Sequence, residues 1–293
     1  MNGVINLNKP EGKTSHDMVY FLRRLTGVRR VGHTGTLDPD ATGVLAMCIG
    51  TATKAAEYLT AQQKSYRAQM ILGASTDTLD SSGTVLERRA VSVTPEQIGA
   101  AAGKFVGTIE QIPPMYSAIK VGGKKLYELA REGKQVVRKA RTVQIDRIEI
   151  LETDLAAGVV LMEIDCSKGT YIRSLCADIG EALGCLAHMG GLVRTRSGRF
   201  TIEQSYTAEQ LEALQEEGRL GEAVLPVDAV FSQYRALRVA GRDEFKVRNG
   251  TPIALDGLAE GAFYRIYGQD GAFLCLSQQM DGKLVMQKSF WQD

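Results

Sequence analysis

The sequence predicts an α+β protein, with a mixed, mostly antiparallel sheet up to about residue 230 and a small β-rich unit after it. Three observations carry this. Strand and helix patterns mix without a regular βαβ rhythm. Residues 143–151 and 159–165 read as consecutive strands with no helix between them. Beyond residue 230, short strand candidates around Tyr264, at 273–276 and at 284–286 are separated by glycine-containing turns.

Taken in order, residues 3–7 form a short strand, and Thr14 and Ser15 can cap a helix that stops at Gly27. Met18, Leu22 and Leu25 fall on one face of that helix. Residues 28–53 are rich in glycine and threonine and read as a loop region with a short apolar element at 44–49. Residues 64–72 alternate, so Tyr66, Ala68, Met70 and Leu72 share one face of a half-buried strand. Thr94-Pro95-Glu96-Gln97 is a helix start, and a later helix from about Thr170 ends at Gly184. A further helix, 208–217, leads to Leu225-Pro226-Val227-Asp228.

With 44% hydrophobic and 24% charged residues in 293, the chain can bury a full core and a second small one. The longest plainly apolar run, 44–49, is far short of the ~20 residues that cross a bilayer, and Met1-Asn2-Gly3-Val4 lacks a signal-peptide pattern. A cytoplasmic protein without membrane association is expected. Cys48, Cys166, Cys176, Cys185 and Cys275 form no CxxC pair and fit reduced, mostly buried thiols rather than a zinc site. Net charge is only +1, but eight cations (Lys120, Lys124, Lys125, Arg131, Lys134, Arg138, Lys139, Arg141) face only Glu128 and Glu132 between residues 119 and 141. Such a run is either a solvated face or a nucleic-acid contact, and Gly122-Gly123 and Gly133 point to something mobile rather than a rigid helix face.

Two motifs fail on inspection. Gly12-Lys13-Thr14 ends like a phosphate-binding loop, but Leu7 stands where the partner glycine belongs. Asp38-Pro39-Asp40-Ala41-Thr42-Gly43 starts like a calcium loop, but its twelfth position is Ile49 instead of a bidentate Glu. What remains is Gly32-His33-Thr34-Gly35-Thr36-Leu37-Asp38-Pro39, continuing through Ala41-Thr42-Gly43 to Leu45. Read alone, Asp38 organises an Asx turn and His33 is a polar loop residue.

That stretch resembles the signature of the TruB family of tRNA pseudouridine synthases. Ile5-Asn6-Leu7-Asn8-Lys9-Pro10 with Gly12-Lys13-Thr14-Ser15 resembles the family's opening motif, and Lys64-Ser65-Tyr66-Arg67 its base-contacting strand. Thr76-Asp77-Thr78-Leu79-Asp80, Ile112-Pro113-Pro114-Met115-Tyr116-Ser117-Ala118, Lys124-Lys125-Leu126-Tyr127 and Cys166-Ser167-Lys168-Gly169-Thr170-Tyr171-Ile172-Arg173 resemble further family motifs, in the family's order. The resemblance is dense from residue 3 to about 200 and thin in the tail, where Arg248-Asn249-Gly250 only suggests the family's C-terminal PUA-type domain.

The resemblance implies a pseudouridine synthase fold over residues 1–230, a basic RNA-binding insertion at about 116–141, and a PUA-like RNA-binding domain at 231–293. It implies isomerisation of the T-loop uridine of tRNA conventionally numbered 55. Asp38 matches the catalytic carboxylate, ionised at neutral pH without special tuning. Tyr66 matches the residue that stacks on the flipped base and handles the final proton, and Arg173 the arginine that pairs with the carboxylate. On residue type alone Tyr66 is core and Arg173 is surface. Tyr171 and Leu192 match nucleotide-contacting positions, although Leu192 is equally plain core. His33 matches a residue that fills the space left by extruded loop bases. The resemblance also places Lys9 and Asp80 in the substrate-binding set, Asp80 in a supporting role only. Lys120, Lys124, Lys125, Arg131 and Arg141 are assigned to the RNA backbone.

The isomerisation conserves atoms, so no cofactor and no metal are expected, and no obligate protein partner beside the T arm and T loop of tRNA. The rival readings are a guide-dependent rRNA pseudouridine synthase, which is usually longer, and a non-catalytic tRNA-binding or folding protein, which would not need Asp38. A glycoside hydrolase would need two suitably separated carboxylates, and only Asp38 sits in a motif.

Overall fold

Thr14 and Asp17 fix where the first helix begins: the Thr14 hydroxyl accepts from the Asp17 N–H at 3.0 Å and Asp17 accepts from the Thr14 N–H at 2.8 Å. The helix, α1 (Ser15–Thr26), ends at Gly27, whose φ of 70° is the left-handed stop expected there. Reciprocal caps of the same kind, Thr94 with Gln97 and Thr207 with Gln210, start α2 (Pro95–Gly103) and α4 (Ala208–Glu216). Between them, α3 (Ile172–Leu183) ends at Gly184 in the same conformation as Gly27. The computed structural model describes residues 1–117, 119–134 and 136–291. Ala118 of the Tyr116-Ser117-Ala118 motif and Gln135 of the basic segment lie outside the described residues.

The main sheet runs β1 (Gly3–Lys9), β2 (Thr42–Ile49), β7 (Ala187–Ser197), β3 (Lys64–Leu72), β6 (Val159–Cys166), β5 (Arg141–Asp154), β4 (Gly107–Gln111). These neighbours pair antiparallel except β2 with β7, which run parallel at Thr42 and Gly43 against Val193 and Arg194. The parallel contact depends on Gly43, because a Cβ there would lie 2.3 Å from the Arg194 carbonyl oxygen. The expected alternation of β3 is present, with Tyr66, Ala68, Met70 and Leu72 buried beneath α2 and α3 in the largest core cluster. A second cluster seats α1 and α4 against β1 and β2.

The tail builds its own sheet, β8 (Arg235–Arg238), β9 (Phe263–Tyr267), β10 (Phe273–Met280) and β11 (Lys283–Ser289), with its own core around Ile266 and Leu274. It is not a bead on a linker. Leu276 and Phe290 of the tail share a cluster with Val44, Cys48 and Phe231, so the two units meet across apolar surface.

Several elements differ from the sequence reading. The 28–53 loop region contains a strand, Val31–His33, and a helical turn, Gly50–Ala55. The strand β7 and the short helix Gly241–Arg248 were not foreseen. The basic segment is partly ordered: Gly122 and Gly123, at φ 58° and 86°, turn a hairpin between Lys120–Val121 and Lys124–Lys125. A helix, Leu126–Arg131, follows and buries Leu126 and Leu129. All five cysteines are free and buried. Among the described residues no helix is long and apolar enough to cross a membrane.

Candidate active site

Asp38 lies in the loop between Val31–His33 and β2, and Ser15 fixes that loop. The Ser15 hydroxyl accepts from the Leu37 N–H at 2.8 Å and donates to the Leu37 carbonyl at 3.1 Å. The carboxylate projects into a cleft of about 500 Å³ whose walls include Tyr66 on β3, Leu192 and Arg194 on β7, and Tyr171 and Arg173 at the start of α3.

Arg173 organises this cleft. Its Nε lies 3.1 Å from Asp38 Oδ2 and its Nη2 3.3 Å from Oδ1, a two-point grip on the carboxylate. Nη1 lies 3.2 Å from Asp80 Oδ2 and donates to the Thr78 carbonyl at 3.2 Å, while Nη2 also donates to the Tyr116 carbonyl at 2.8 Å. The arginine side chain is only 6% exposed, whereas Asp38 keeps 40% of its surface open to the cleft. Asp80 is held in turn by the Thr78 hydroxyl at 2.7 Å and the Ser82 N–H at 3.1 Å. One buried cation thus ties together the Asp38 loop, the 76–80 loop and the entry to the basic segment.

The electrostatics differ from the sequence reading in one respect. Burial pushes the Asp38 carboxyl above its ordinary value, Arg173 opposes this, and Asp80 and Asp40 add to the rise. Arg173 therefore offsets an unfavourable environment around Asp38. Burial likewise raises the Tyr66 phenol, with the neighbouring Arg194 guanidinium acting against it.

The cleft thus holds a carboxylate gripped by a buried arginine, with a buried tyrosine in the same lining, and the chain that builds it has sequence relatives. Residues 23–172 match the TruB family pseudouridylate synthase N-terminal domain, and residues 173–232 the tRNA pseudouridylate synthase B C-terminal domain. A protein called tRNA pseudouridine synthase B from Alkaliphilus oremlandii is 46% identical over 253 residues, 86% of this chain and 83% of that one. The chain belongs to the TruB family of pseudouridylate synthases. Another relative of that name, from Clostridium novyi, is 43% identical and covers 98% of this chain and 99% of its own length. Among solved structures, one of an H/ACA RNP bound to a substrate RNA containing 2'-deoxyuridine superposes with a TM-score of 0.75. It is 26% identical and covers 99% of this chain and 85% of that chain. A Cbf5-Nop10-Gar1 complex gives 0.73 at 28% identity, with 99% of this chain and 85% of that chain covered.

Within this TruB-family cleft the remaining sequence candidates separate. Tyr171 and Leu192 line it, and Gln111 clamps the Tyr171 backbone, accepting from its N–H at 2.7 Å and donating to its carbonyl at 2.9 Å. Leu192 also packs on the main core. His33 sits just before the lining, which begins at Thr34, and its Nδ1 accepts from the Gly35 N–H at 3.4 Å. Burial, then Arg194 and His16, keep its imidazole below the usual value. Lys120 and Arg141 line the cleft mouth. Lys124 is paired with Glu132 at 3.0 Å, and Lys125 and Arg131 flank the Tyr127 ring at 5.3 and 5.5 Å, so these three form a patch on the hairpin and helix.

Lys9 is the correction. It is completely buried, and its ammonium donates to the carbonyls of Pro10 and Lys13, in the turn before α1, and of Pro39, next to Asp38. With its three N–H bonds used on backbone, it cannot reach a substrate. It staples the Asp38 loop instead, and burial lowers its pKa to about 8.

Three lining cations were missed, Lys64, Lys168 and Arg194, and two of them are buried. Arg194, 2% exposed, donates to the Val44 carbonyl at 2.6 Å and the Gly35 carbonyl at 3.2 Å. Lys64 is 4% exposed, donates to the Thr60 and Gln62 carbonyls, and is lowered by burial to about 8. Lys64 stands inside the Lys64-Ser65-Tyr66-Arg67 motif, while Arg194 stands on the strand that was not recognised.

Proposed function

We propose that this protein isomerises the T-loop uridine of tRNA, at the position conventionally numbered 55, to pseudouridine, with Asp38 as the essential carboxylate. The observation that carries the reading is the two-point grip of Arg173 on Asp38 at 3.1 and 3.3 Å in a cleft shared with Tyr66. The reaction breaks the bond between ribose C1′ and uracil N1, turns the base in place and joins C1′ to C5, with the C5 proton lost and N1 protonated so that the atoms balance. A stacked T-loop uracil must first be extruded, which calls for a replacement stacking surface, and Tyr66 offers one. Asp38 can then add to the base, trap C1′ or take a ribose proton, and its fixed orientation serves each route. Arg173 keeps the anion available against the burial that opposes it.

Asp80 acts through Arg173, and Lys9 through the loop that carries Asp38. Tyr171, Leu192 and His33 contact the nucleotide and its loop neighbours. Lys120 and Arg141 at the mouth, with Lys124, Lys125 and Arg131 beyond it, meet phosphates. Residues 231–293 serve as an auxiliary PUA-like RNA-binding unit, and the protein works in the cytoplasm without an obligate protein partner. The tRNA reading is preferred to a guide-dependent one because the relatives at 43–46% identity carry the tRNA name, whereas the RNP proteins are 26–28% identical. Incubating unmodified tRNA with the pure protein and mapping pseudouridine tests it: the product belongs at the T-loop uridine, and its absence there would overturn the reading.

A further inference from the structure

Among the described residues, six side chains bury a nitrogen or oxygen that finds no hydrogen-bond partner, and of these six residues only Ser117 belongs to the lining of the active-site cleft. The others, on Asn6, Arg23, Gln62, Gln279 and Trp291, lie outside the lining. An unpaired buried hydroxyl costs folding free energy, so a site that keeps one calls for a reason.

Ser117 cannot escape its position by a small backbone adjustment. Its N–H donates to the Met115 carbonyl at 3.0 Å, and its own carbonyl accepts from the Tyr127 N–H at 3.1 Å. The preceding carbonyl, of Tyr116, is held at 2.8 Å by Arg173 Nη2, the same guanidinium that grips Asp38. The residue is 6% exposed. The Ser117 backbone and the Asp38 carboxylate are therefore set in a fixed relation around one cleft of about 500 Å³, and one side-chain torsion aims the hydroxyl. A hydroxyl both donates and accepts, which suits the mixed polar edge of a uridine: the 2′-hydroxyl, the two uracil carbonyls and the N3–H.

We propose that Ser117 Oγ hydrogen-bonds the extruded nucleotide, through its ribose hydroxyl or its uracil edge, and is a binding residue for the reaction. The inference rests on the function proposed above and adds a contact to it. It has a consequence that a packing role does not share. Replacing the hydroxyl by hydrogen removes an unpaired polar group from the free protein but a paired one from the complex. Ser117→Ala should thus melt at the parent's temperature or above it, while RNA binding and single-turnover rate below saturation fall about tenfold, the size of one neutral hydrogen bond.

The experiment compares parent and Ser117→Ala in thermal melting, in binding of a T-arm RNA hairpin with uridine or 2′-deoxyuridine at the target, and in pseudouridine yield from the uridine RNA. A penalty that disappears with the 2′-deoxy RNA assigns the contact to the ribose; one that persists assigns it to the base; both support the proposal. Equal binding and equal turnover of the two proteins would overturn it. So would a loss of thermal stability that accompanies the loss of activity, since that makes Ser117 a packing residue. A parent that bound the hairpin without forming pseudouridine would instead sink the reaction proposed above, and the binding difference would still decide the contact.

Discussion

Arg173→Met removes one guanidinium and leaves the cleft otherwise in place, so its effect can be worked from the observed contacts. Two unit charges at about 4 Å interact by about 4 kcal/mol at an effective dielectric of 20. Asp38 keeps 40% of its side chain exposed, and screening is taken to halve this, to about 2 kcal/mol, or roughly 30-fold in rate. The stability effect is separate. Asp80, whose side chain is only 15% exposed, loses its cation but keeps the Thr78 and Ser82 bonds. A loss near the lower end for a broken buried pair, about 3 kcal/mol, follows.

The pH profile separates the two effects. Asp38 already has a raised pKa with Arg173 opposing the rise, so losing the arginine lifts it further. If the carboxylate must be ionised, activity is present above that pKa and is lost as pH falls through it. The acid limb of the variant's profile then lies at higher pH than the parent's, and alkaline buffer restores part of the activity. Single-turnover pseudouridine formation at saturating enzyme, well below the melting transition, is the assay. An acid limb that stays where the parent's lies, with the rate still reduced, would refute the electrostatic account of Arg173 and leave it a positioning role alone.

Lys9→Met should lower thermal stability by about 3 kcal/mol, because three backbone carbonyls lose their donor. Its sign with pH is also fixed: a lysine lowered to about 8 in the folded protein and ordinary when unfolded gives the parent a stability advantage that shrinks, relative to the neutral variant, as pH falls from 10.5 toward 8. Melting curves of both proteins across that range check it, and a constant difference would contradict the burial of the ammonium. Neutralising Lys124, Lys125 and Arg131 together should weaken tRNA binding and flatten the slope of log affinity against log salt by up to about 0.7–0.9 for each phosphate left without its cation. An unchanged slope would remove these residues from the RNA interface.

The parts of the fold that were legible in the sequence are those with local signals. The Thr94–Gln97 and Thr207–Gln210 caps and the glycine stops at Gly27 and Gly184 fix helix ends within a turn, because capping satisfies backbone groups that no other contact reaches. The alternation of β3 survived because one face is core and the other is not. The strand β7 was illegible for the opposite reason. It lies between β2 and β3, carries Gly190-Gly191 at a register shift, and turns charged Arg194 inward, so no two-residue pattern appears. In the site, Asp38, Arg173 and Asp80 were found through motifs, but their mutual distances come from elements far apart in sequence. Lys9, Lys64 and Arg194 show where residue type misleads: a buried cation whose hydrogens go to backbone carbonyls looks, in sequence, like any solvated one.

Asp38→Asn tests the central claim most directly, since it keeps shape and hydrogen-bonding reach while removing the negative charge. The fold should tolerate it. A carboxyl whose pKa is raised on folding costs stability above its ordinary value, so the amide relieves that cost, and Arg173 keeps Asp80 and the Thr78 and Tyr116 carbonyls. Single-turnover pseudouridine yield on tRNA is measured beside a binding curve and a melt. The account predicts melting and tRNA affinity near the parent's, with pseudouridine formation at background. Substantial turnover by the variant would contradict it.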